Sequence, residues 1–551
     1  MTTFETVGPA PVSELAVEAR VRTRDGVHLA TDVYLPGGDT TPGDTILIRL
    51  PYDKSGEYTF IPVVAEYFMR SGYRVVAQDV RGKFRSEGQT LLFVHEVNDG
   101  YDTIDWITKQ EWSNGRVAMW GDSYYGYTQW AAASSGHPAL KAISPRVTGT
   151  GLGNPVRRAA GEKHTRVEMG VTLLYPLSNF HTNDSFEWEP TWTRPYAADA
   201  EEFISSVGVR SDSYDLWYPK PVTLNRFPQG QVWDAPAVPT LHTIGWWDNC
   251  GPLSWDDVRA ITSNPAWDTQ HHLRIEAIDH ENHFVDEPES EHVFMRSSEQ
   301  LEAIMPAMLG PTLEFFDVYV RGNGKATDIP RVTWELARTG TFETCENWPP
   351  AHERVSLDLT ADGLIQRDPA TEGELSWVHD PDHPVPSPVE DAFAFLMTHP
   401  DEAPLGARDD VLVFDAPAVE ADVDLIGDVS AQLGFVSSGP VADVFLRLLD
   451  VSPSGEAFRI SRGQRRVYDA TEETRVDVPM DPLGYRLRAG HHLRLHVSSS
   501  DAPEFVPLPG TDEDPWAAVE TVKTTQTVRF GGDSPFVLTL GRREVAEGDN
   551  R

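Results

Sequence analysis

Hydrophobic positions in the first 150 residues fall into short, separated runs. Residues 27–35 (VHLATDVYL) alternate apolar with polar, as a strand with one solvated face does. Residues 45–50 (TILIRL) and 73–78 (YRVVAQ) are instead compact runs rich in β-branched side chains, the pattern of buried strands. Between them Ile61, Val64, Ala65 and Phe68 recur at helical spacing, and Gly72 stands where a helix C-terminus favours glycine. A second helix is predicted over 98–110, where Ile104 and Ile107 share a face, followed by a strand at RVAMW (116–120). This alternation predicts a mostly parallel sheet covered by helices.

From about residue 150 the pattern gives way to irregular stretches carrying Phe180, Trp188, Trp192, Trp217 and several prolines, which read as an inserted helical cap. Strand-like runs return at 238–244 and 272–278, so the sheet is expected to resume after the insertion. Beyond about 350 the chain becomes short alternating segments such as VLVFDA, ADVFLRLLDV and HHLRLHVSS, separated by turn-rich pieces such as DPDHPVPSP. A jelly-roll β-sandwich is the natural reading of that region. The expected division is a core in two parts, 1–146 and 236–350, a cap over 147–235, and a sandwich over 351–551. The final EGDNR is expected to fray.

A chain of 551 residues exceeds what one hydrophobic core supports, in keeping with two or three domains. Hydrophobic content of 40% and charged content of 24% exclude a wholly disordered or membrane-embedded chain. No window offers the roughly 20 apolar residues of a membrane helix, and the N-terminus lacks a basic start and an apolar core, so a cytoplasmic location is the default expectation. Two cysteines, Cys250 and Cys345, make no disulfide framework. The net charge of −39 argues against nucleic acid and anionic membranes as partners and leaves a small-molecule substrate; a homodimer is compatible with the sequence.

The strongest local signal is Gly121-Asp122-Ser123-Tyr124-Tyr125-Gly126, set between the strand RVAMW and a helical stretch containing Trp130. Strand, tight turn and helix are what a nucleophile elbow requires, and the Tyr124 backbone N–H at the helix N-terminus can help bind a developing oxyanion. The usual elbow is Gly-x-Ser-x-Gly, whereas here Tyr125 holds the second position after the serine and Gly126 the third. An acid and a histidine must follow later strands in the order Ser, Asp, His. Asp248 follows VPTLHTIGWW and His280 follows HLRIEAID; alone, Asp248 would read as a turn residue or helix N-cap, and His283 competes with His280. His280 and His283 do not match the His-Glu-x-x-His zinc spacing, and no third ligand follows, so neither a catalytic metal nor a cofactor is expected.

The segments RLPYDKS around Tyr52, Asp79-Val-Arg81-Gly82-Lys83-Phe84-Arg85-Ser86-Glu87-Gly88, WSNGRVAMWGDSYYGYTQW and GWWDN together resemble the bacterial cocaine esterase family. Its relatives include X-prolyl dipeptidyl-peptidases, glutaryl acylases and α-amino acid ester hydrolases. The likeness continues through FFDVYVRGNG (315–324), DPDHPVPS (380–387), ARDDVLVF (407–414) and GHHLRLHVSSSDAPEF (490–505). It implies an α/β fold, namely an α/β-hydrolase core with an inserted helical cap and a C-terminal jelly roll. It also implies that Tyr52 donates its hydroxyl to the oxyanion beside the Tyr124 N–H; by itself Tyr52 would read as an interface aromatic. Relatives that cleave α-amino acid esters carry an acidic pair two and three residues after the triad aspartate, where this chain has Cys250 and Gly251. Glu162, Glu168 and Glu187 in the cap remain as another source of acidic groups.

The expected activity is hydrolysis of a carboxylic ester through an acyl-enzyme on Ser123, with His280 as proton shuttle and Asp248 as its orienter. Amide substrates, as for an X-prolyl aminopeptidase or acylase, are the alternative, and a non-catalytic binding protein on a hydrolase scaffold is another. Trp247, Cys250, Trp188 and Trp192 are the expected substrate-lining residues, and Asp79 and Arg81 are expected in internal ion pairs.

Overall fold

The computed structural model describes residues 8–545 apart from 155, 157, 168, 170–174, 176–190, 209, 219–225, 228–229, 282–296, 361–362, 366–371, 389–398 and 533–534. The chain divides into two compact units. The first comprises Met1–Asn154, Tyr175–Trp188 and Ile204–Thr333, and the second Pro155–Leu174, Glu189–Phe203 and Trp334–Arg551.

The first unit holds strands β1 (Ala16–Arg22), β2 (His28–Tyr34), β3 (Gly43–Leu50), β4 (Arg74–Asp79), β5 (Ser113–Asp122), β6 (Leu140–Arg146), β7 (Thr240–Gly245) and β8 (His271–Glu276). They stand in the order β1-β2-β4-β3-β5-β6-β7-β8. β1 and β2 are antiparallel to their neighbours, and every pair from β4 to β8 is parallel. Helices α1 (Ile61–Arg70), α2 (Glu96–Thr108), α3 (Ser123–Ser134), α4 (Gly251–Thr262) and α5 (Ser298–Phe316) accompany the sheet.

Alternation along the strands assigns side chains to two cores. Ile46, Ile48 and Leu50 of β3 and Val75 and Ala77 of β4 join the α1 residues Ile61, Val64, Ala65 and Phe68, together with Met305, Leu309 and Phe315 of α5. The intervening Leu47 and Val76 join Ile104 and Ile107 of α2 and Tyr127, Trp130 and Ala131 of α3. Helices therefore cover both faces, which is why β3 and β4 read as continuous apolar runs. Only Ser123 of α3 reaches partial exposure; the rest of that helix is buried.

The second unit is an all-β domain with a barrel-like sandwich. Its strands are β9 (Glu353–Thr360), β10 (Gly363–Ile365), β11 (Gly373–His379), β12 (Leu412–Asp415), β13 (Val423–Ser437), β14 (Val441–Val451), β15 (Ala457–Tyr468), β16 (Thr474–Leu487), β17 (His492–Ser498), β18 (Thr524–Phe530) and β19 (Val537–Glu544). The main path runs β10-β9-β19-β13-β16-β15-β14-β17-β12, with β18 joining β11 to β13. Inward residues such as Leu433, Phe435, Val444, Leu448, Leu495 and Val497 are fully buried. Part of the stretch read as cap enters this unit: His164 and Thr165 pair with Val467 and Arg466 of β15.

One contact ties the helix after Asp248 to the loop after β6. Asp257 of α4 accepts hydrogen bonds from the Thr150 N–H at 2.7 Å and the Thr150 hydroxyl at 2.6 Å. Burial outweighs these bonds and lifts its carboxyl from the ordinary 3.8 to about 7. The folded state thus holds this proton more tightly than the unfolded chain does, and stability falls as pH rises between those two values, by at most roughly 1.4 kcal/mol per pH unit. Asp257→Asn keeps an acceptor for the Thr150 N–H but cannot ionise. Thermal denaturation between pH 4 and 8 should show the variant gaining on the parent protein as pH rises; parallel curves would remove Asp257 as the source.

Candidate active site

Ser123 is the first residue of α3, at the C-terminal end of β5. Its φ of 49° lies in the left-handed region, a conformation that costs a non-glycine residue on the order of 1–3 kcal/mol and persists where the surroundings enforce it. The two glycines of the motif explain how. A Cβ on Gly121 would meet the Tyr125 ring at 2.1 Å, and one on Gly126 would meet Thr148 Cγ2 at 2.6 Å and the Arg146 carbonyl at 3.1 Å. Gly126 thus lets α3 press against the chain at the end of β6, while Tyr125 folds back over Gly121. The Thr148 hydroxyl donates to the Ser123 carbonyl at 2.6 Å and fixes the turn. Beneath it, Arg146, 2% exposed, pairs with Asp122 at 3.1 Å and Glu276 at 3.3 Å.

Asp248 lies in the turn between β7 and α4, buried, with its Oδ1 accepting the Cys250 N–H at 2.9 Å. The turn needs Gly245, because a Cβ there would stand 2.5 Å from the Ile278 carbonyl on the segment leading to His280. His280 bridges the other two residues: its Nδ1 is 2.6 Å from Asp248 Oδ1 and its Nε2 is 2.9 Å from Ser123 Oγ. Burial by itself lowers the imidazole's affinity for a proton, but the neighbouring Cys250 and Asp248 outweigh it and hold the pKa well above 6.5. In its neutral form a ring placed in this way accepts the serine proton through Nε2 while Nδ1–H stays on the carboxylate.

Tyr52 follows β3, and its hydroxyl lies 2.7 Å from that of Tyr175, with Ser123 and His280 among its further partners. Burial pushes the Tyr52 phenol up to about 12, so it remains a proton donor at neutral pH. A buried ion cluster anchors its loop. The Lys54 N–H donates to Asp79 Oδ1 at 2.9 Å, and its ammonium lies 3.3 Å from Asp32 and 3.5 Å from both Asp79 and Glu18. Arg81 pairs instead with Asp99 at 2.6 Å and Asp25 at 2.8 Å. Asp79, at the end of β4, and Arg81 thus both enter internal ion pairs.

The structure brings Ser123, Asp248, His280, Tyr52, the start of α3 with Tyr124, and Cys250 together. The Tyr124 side chain points away from the elbow, its hydroxyl donating to Glu96 at 2.9 Å, which leaves only the backbone N–H for the site. Trp247 is half-buried beside Asp248 and holds its backbone N–H on Ile278 O at 3.2 Å. Trp192 belongs to the second unit, where it packs edge-on to Tyr196. Trp188 and His283 lie outside the described residues. Sequence reasoning passed over Tyr175 and Glu281. Glu281 accepts from the Tyr58 hydroxyl at 2.9 Å, and burial raises its pKa. Its position next to His280 was a usable signal; Tyr175 gave none.

Residues 25–282 match the family model described as X-Pro dipeptidyl-peptidase (S15 family), and residues 323–539 match the X-Pro dipeptidyl-peptidase C-terminal non-catalytic domain. The chain is 28% identical to cocaine esterase of Rhodococcus sp. (strain MB1 Bresler) over 554 aligned positions, covering 89% of this chain and 92% of that one. Among solved structures, an α-amino acid ester hydrolase superposes with a TM-score of 0.80 at 22% identity, covering 98% of this chain and 100% of the other. An aminopeptidase from a Thaumarchaeota archaeon of marine sediment gives 0.79 at 22% identity, covering 97% and 98%. Both share the fold.

Proposed function

Because the chain belongs to the family of X-Pro dipeptidyl-peptidases and cocaine esterase, whose catalytic fold is the α/β-hydrolase, we propose that it hydrolyses a carboxylic ester through an acyl-enzyme on Ser123. The observation that carries this reading is the continuous hydrogen-bonded line from Asp248 through His280 to Ser123 Oγ. In the reaction, Ser123 Oγ attacks the carbonyl carbon as His280 Nε2 takes its proton. The tetrahedral oxyanion is held by the Tyr52 hydroxyl and the Tyr124 N–H. The imidazolium, stabilised by Asp248, then gives the proton to the leaving alkoxide, and water repeats the sequence on the acyl-enzyme.

The testing experiment is labelling of the intact protein by a fluorophosphonate, followed by peptide mapping and a panel of uncharged esters, α-amino esters and aminoacyl-prolyl amides. An adduct on Ser123 with turnover of uncharged esters is expected, and a free α-amino group should bring little gain in kcat/KM. Preferred cleavage of aminoacyl-prolyl amides would move the assignment to a peptidase. The absence of any adduct would favour a binding protein on a hydrolase scaffold.

The oxyanion role of Tyr52 predicts its own outcome. Tyr52→Phe keeps the ring and deletes one donor, so kcat should fall about 10²–10³-fold, with a smaller change in KM, because the donor acts on developing charge. Near-native kcat on a substrate whose acylation is rate-limiting would transfer the role to a backbone N–H.

A further inference from the structure

Cys250 has no chemical task in acyl transfer, yet its thiol stands in a cluster of three different metal-binding donors. Its sulfur, a ring nitrogen of His280 and a carboxylate oxygen of Asp248 all lie within 4.8 Å of one another. Cys250 and Asp248 are 5% and 4% exposed, and the turn joining them is fixed by the Cys250 N–H on Asp248 Oδ1. Asp248 Oδ2 is buried and accepts no hydrogen bond among the described residues. Tetrahedral zinc takes sulfur at about 2.3 Å, imidazole nitrogen at about 2.0–2.1 Å and carboxylate oxygen at about 2.0–2.2 Å, which places its donors roughly 3.4–3.6 Å apart. The cluster therefore needs only small side-chain movements to close on such an ion. A thiolate–imidazole–carboxylate set selects a thiophilic cation, whereas magnesium and calcium require oxygen ligands.

We infer that Asp248, Cys250 and His280 form an inhibitory site for one thiophilic divalent cation of the zinc and cadmium class. The site is distinct in purpose from a catalytic metal centre, because binding disables the base. On binding, the Cys250–His280 pair together gives up one proton to solvent, and the Cys250 sulfur bonds the cation as a thiolate. His280 Nδ1 bonds the cation in place of its proton, and the ring's remaining hydrogen sits on Nε2. The ring stays neutral, and one proton is released per ion. Nε2 then carries hydrogen where it must present a lone pair, so it cannot accept the proton of Ser123. The inhibitory consequence rests on the proposed acyl-transfer mechanism; the binding does not.

The experiment titrates EDTA-treated full-length protein with cadmium and follows the ultraviolet thiolate-to-cadmium charge-transfer absorption, in parallel with fluorophosphonate labelling of Ser123. One equivalent of cadmium should develop the band in the parent protein, in Cys345→Ser and in Ser123→Ala. Cys250→Ser and Cys250→Ala should both lose it, and His280→Ala, which removes a direct ligand, should bind more weakly by at least the roughly 10–100-fold that loss of an outer-shell partner costs. Cadmium should slow labelling of the parent protein and leave the labelling rate of each Cys250 variant, relative to its own metal-free rate, unchanged. A band that survives in both Cys250 variants, no band in the parent protein, or unchanged affinity in His280→Ala overturns the site. If cadmium binds as expected but Ser123 is never labelled even without metal, the site stands and the acyl-transfer reading falls.

Discussion

Ser123→Ala is expected to lower kcat by about 10⁴-fold or more while the protein stays folded. The expectation follows from position and partner together. Ser123 is the sole α3 residue with exposure beyond the core, and its Oγ is 2.9 Å from His280 Nε2. Alanine removes the nucleophile and leaves the backbone contacts of the turn, including the Thr148 hydroxyl on the residue's carbonyl. Circular dichroism and thermal denaturation should therefore match the parent protein. A variant that retains even a tenth of the parent kcat on an ester, or a fluorophosphonate adduct on Cys250, would disqualify Ser123 as the nucleophile.

His280→Ala should fall to a similar rate, and the double variant Ser123→Ala/His280→Ala should be no slower than either single variant. Groups that act as one unit lose their joint contribution once either is gone, so their effects do not add. A merely structural histidine predicts the opposite, with two independent losses multiplying. The residual rate should stand about 10³–10⁴-fold above the uncatalysed reaction, supplied by the Tyr52 and Tyr124 donors and by substrate binding. His283→Ala should keep most activity; the reverse ranking of the two histidines, with both variants folded, would reassign the base.

How much of this was legible in the sequence depended on the environment of each element. β3, β4 and β5 were readable because burial on both faces demands continuous apolar runs. β1 was missed because it is an edge strand with a single buried side chain, and β6 because LKAISPR interrupts its apolar residues with Lys141, Ser144 and Arg146. Those polar groups are satisfied tertiarily: Ser144 by Thr312 and Arg146 by Asp122 and Glu276. α5 carries Pro306 and Pro311 inside the helix, which local propensity argues against. That Ser123, Asp248 and His280 come together was legible because each follows a strand in a fixed chain order. The Tyr52–Tyr175 bond joins residues far apart in sequence, and no local pattern encodes it. The same holds for the proximity of the Cys250 sulfur to His280, since two residues' separation from Asp248 does not say which way a thiol points.

The interruption of the first unit's sheet between β6 and β7 has a consequence for biosynthesis. β6 ends at Arg146 and its partner β7 begins at Thr240, where Ile143 pairs with Thr240 and Arg146 with Thr243. Ribosomes add roughly 5–20 residues per second, so the β6 edge stands open for on the order of 5–20 s in every nascent chain. An unpaired edge is a template for pairing with another chain. Solubility of the newly made protein should thus be governed by translation speed across residues 147–239. Slow codons placed there should increase insoluble product, while the same codons placed after Thr333, when the first unit is complete, should not.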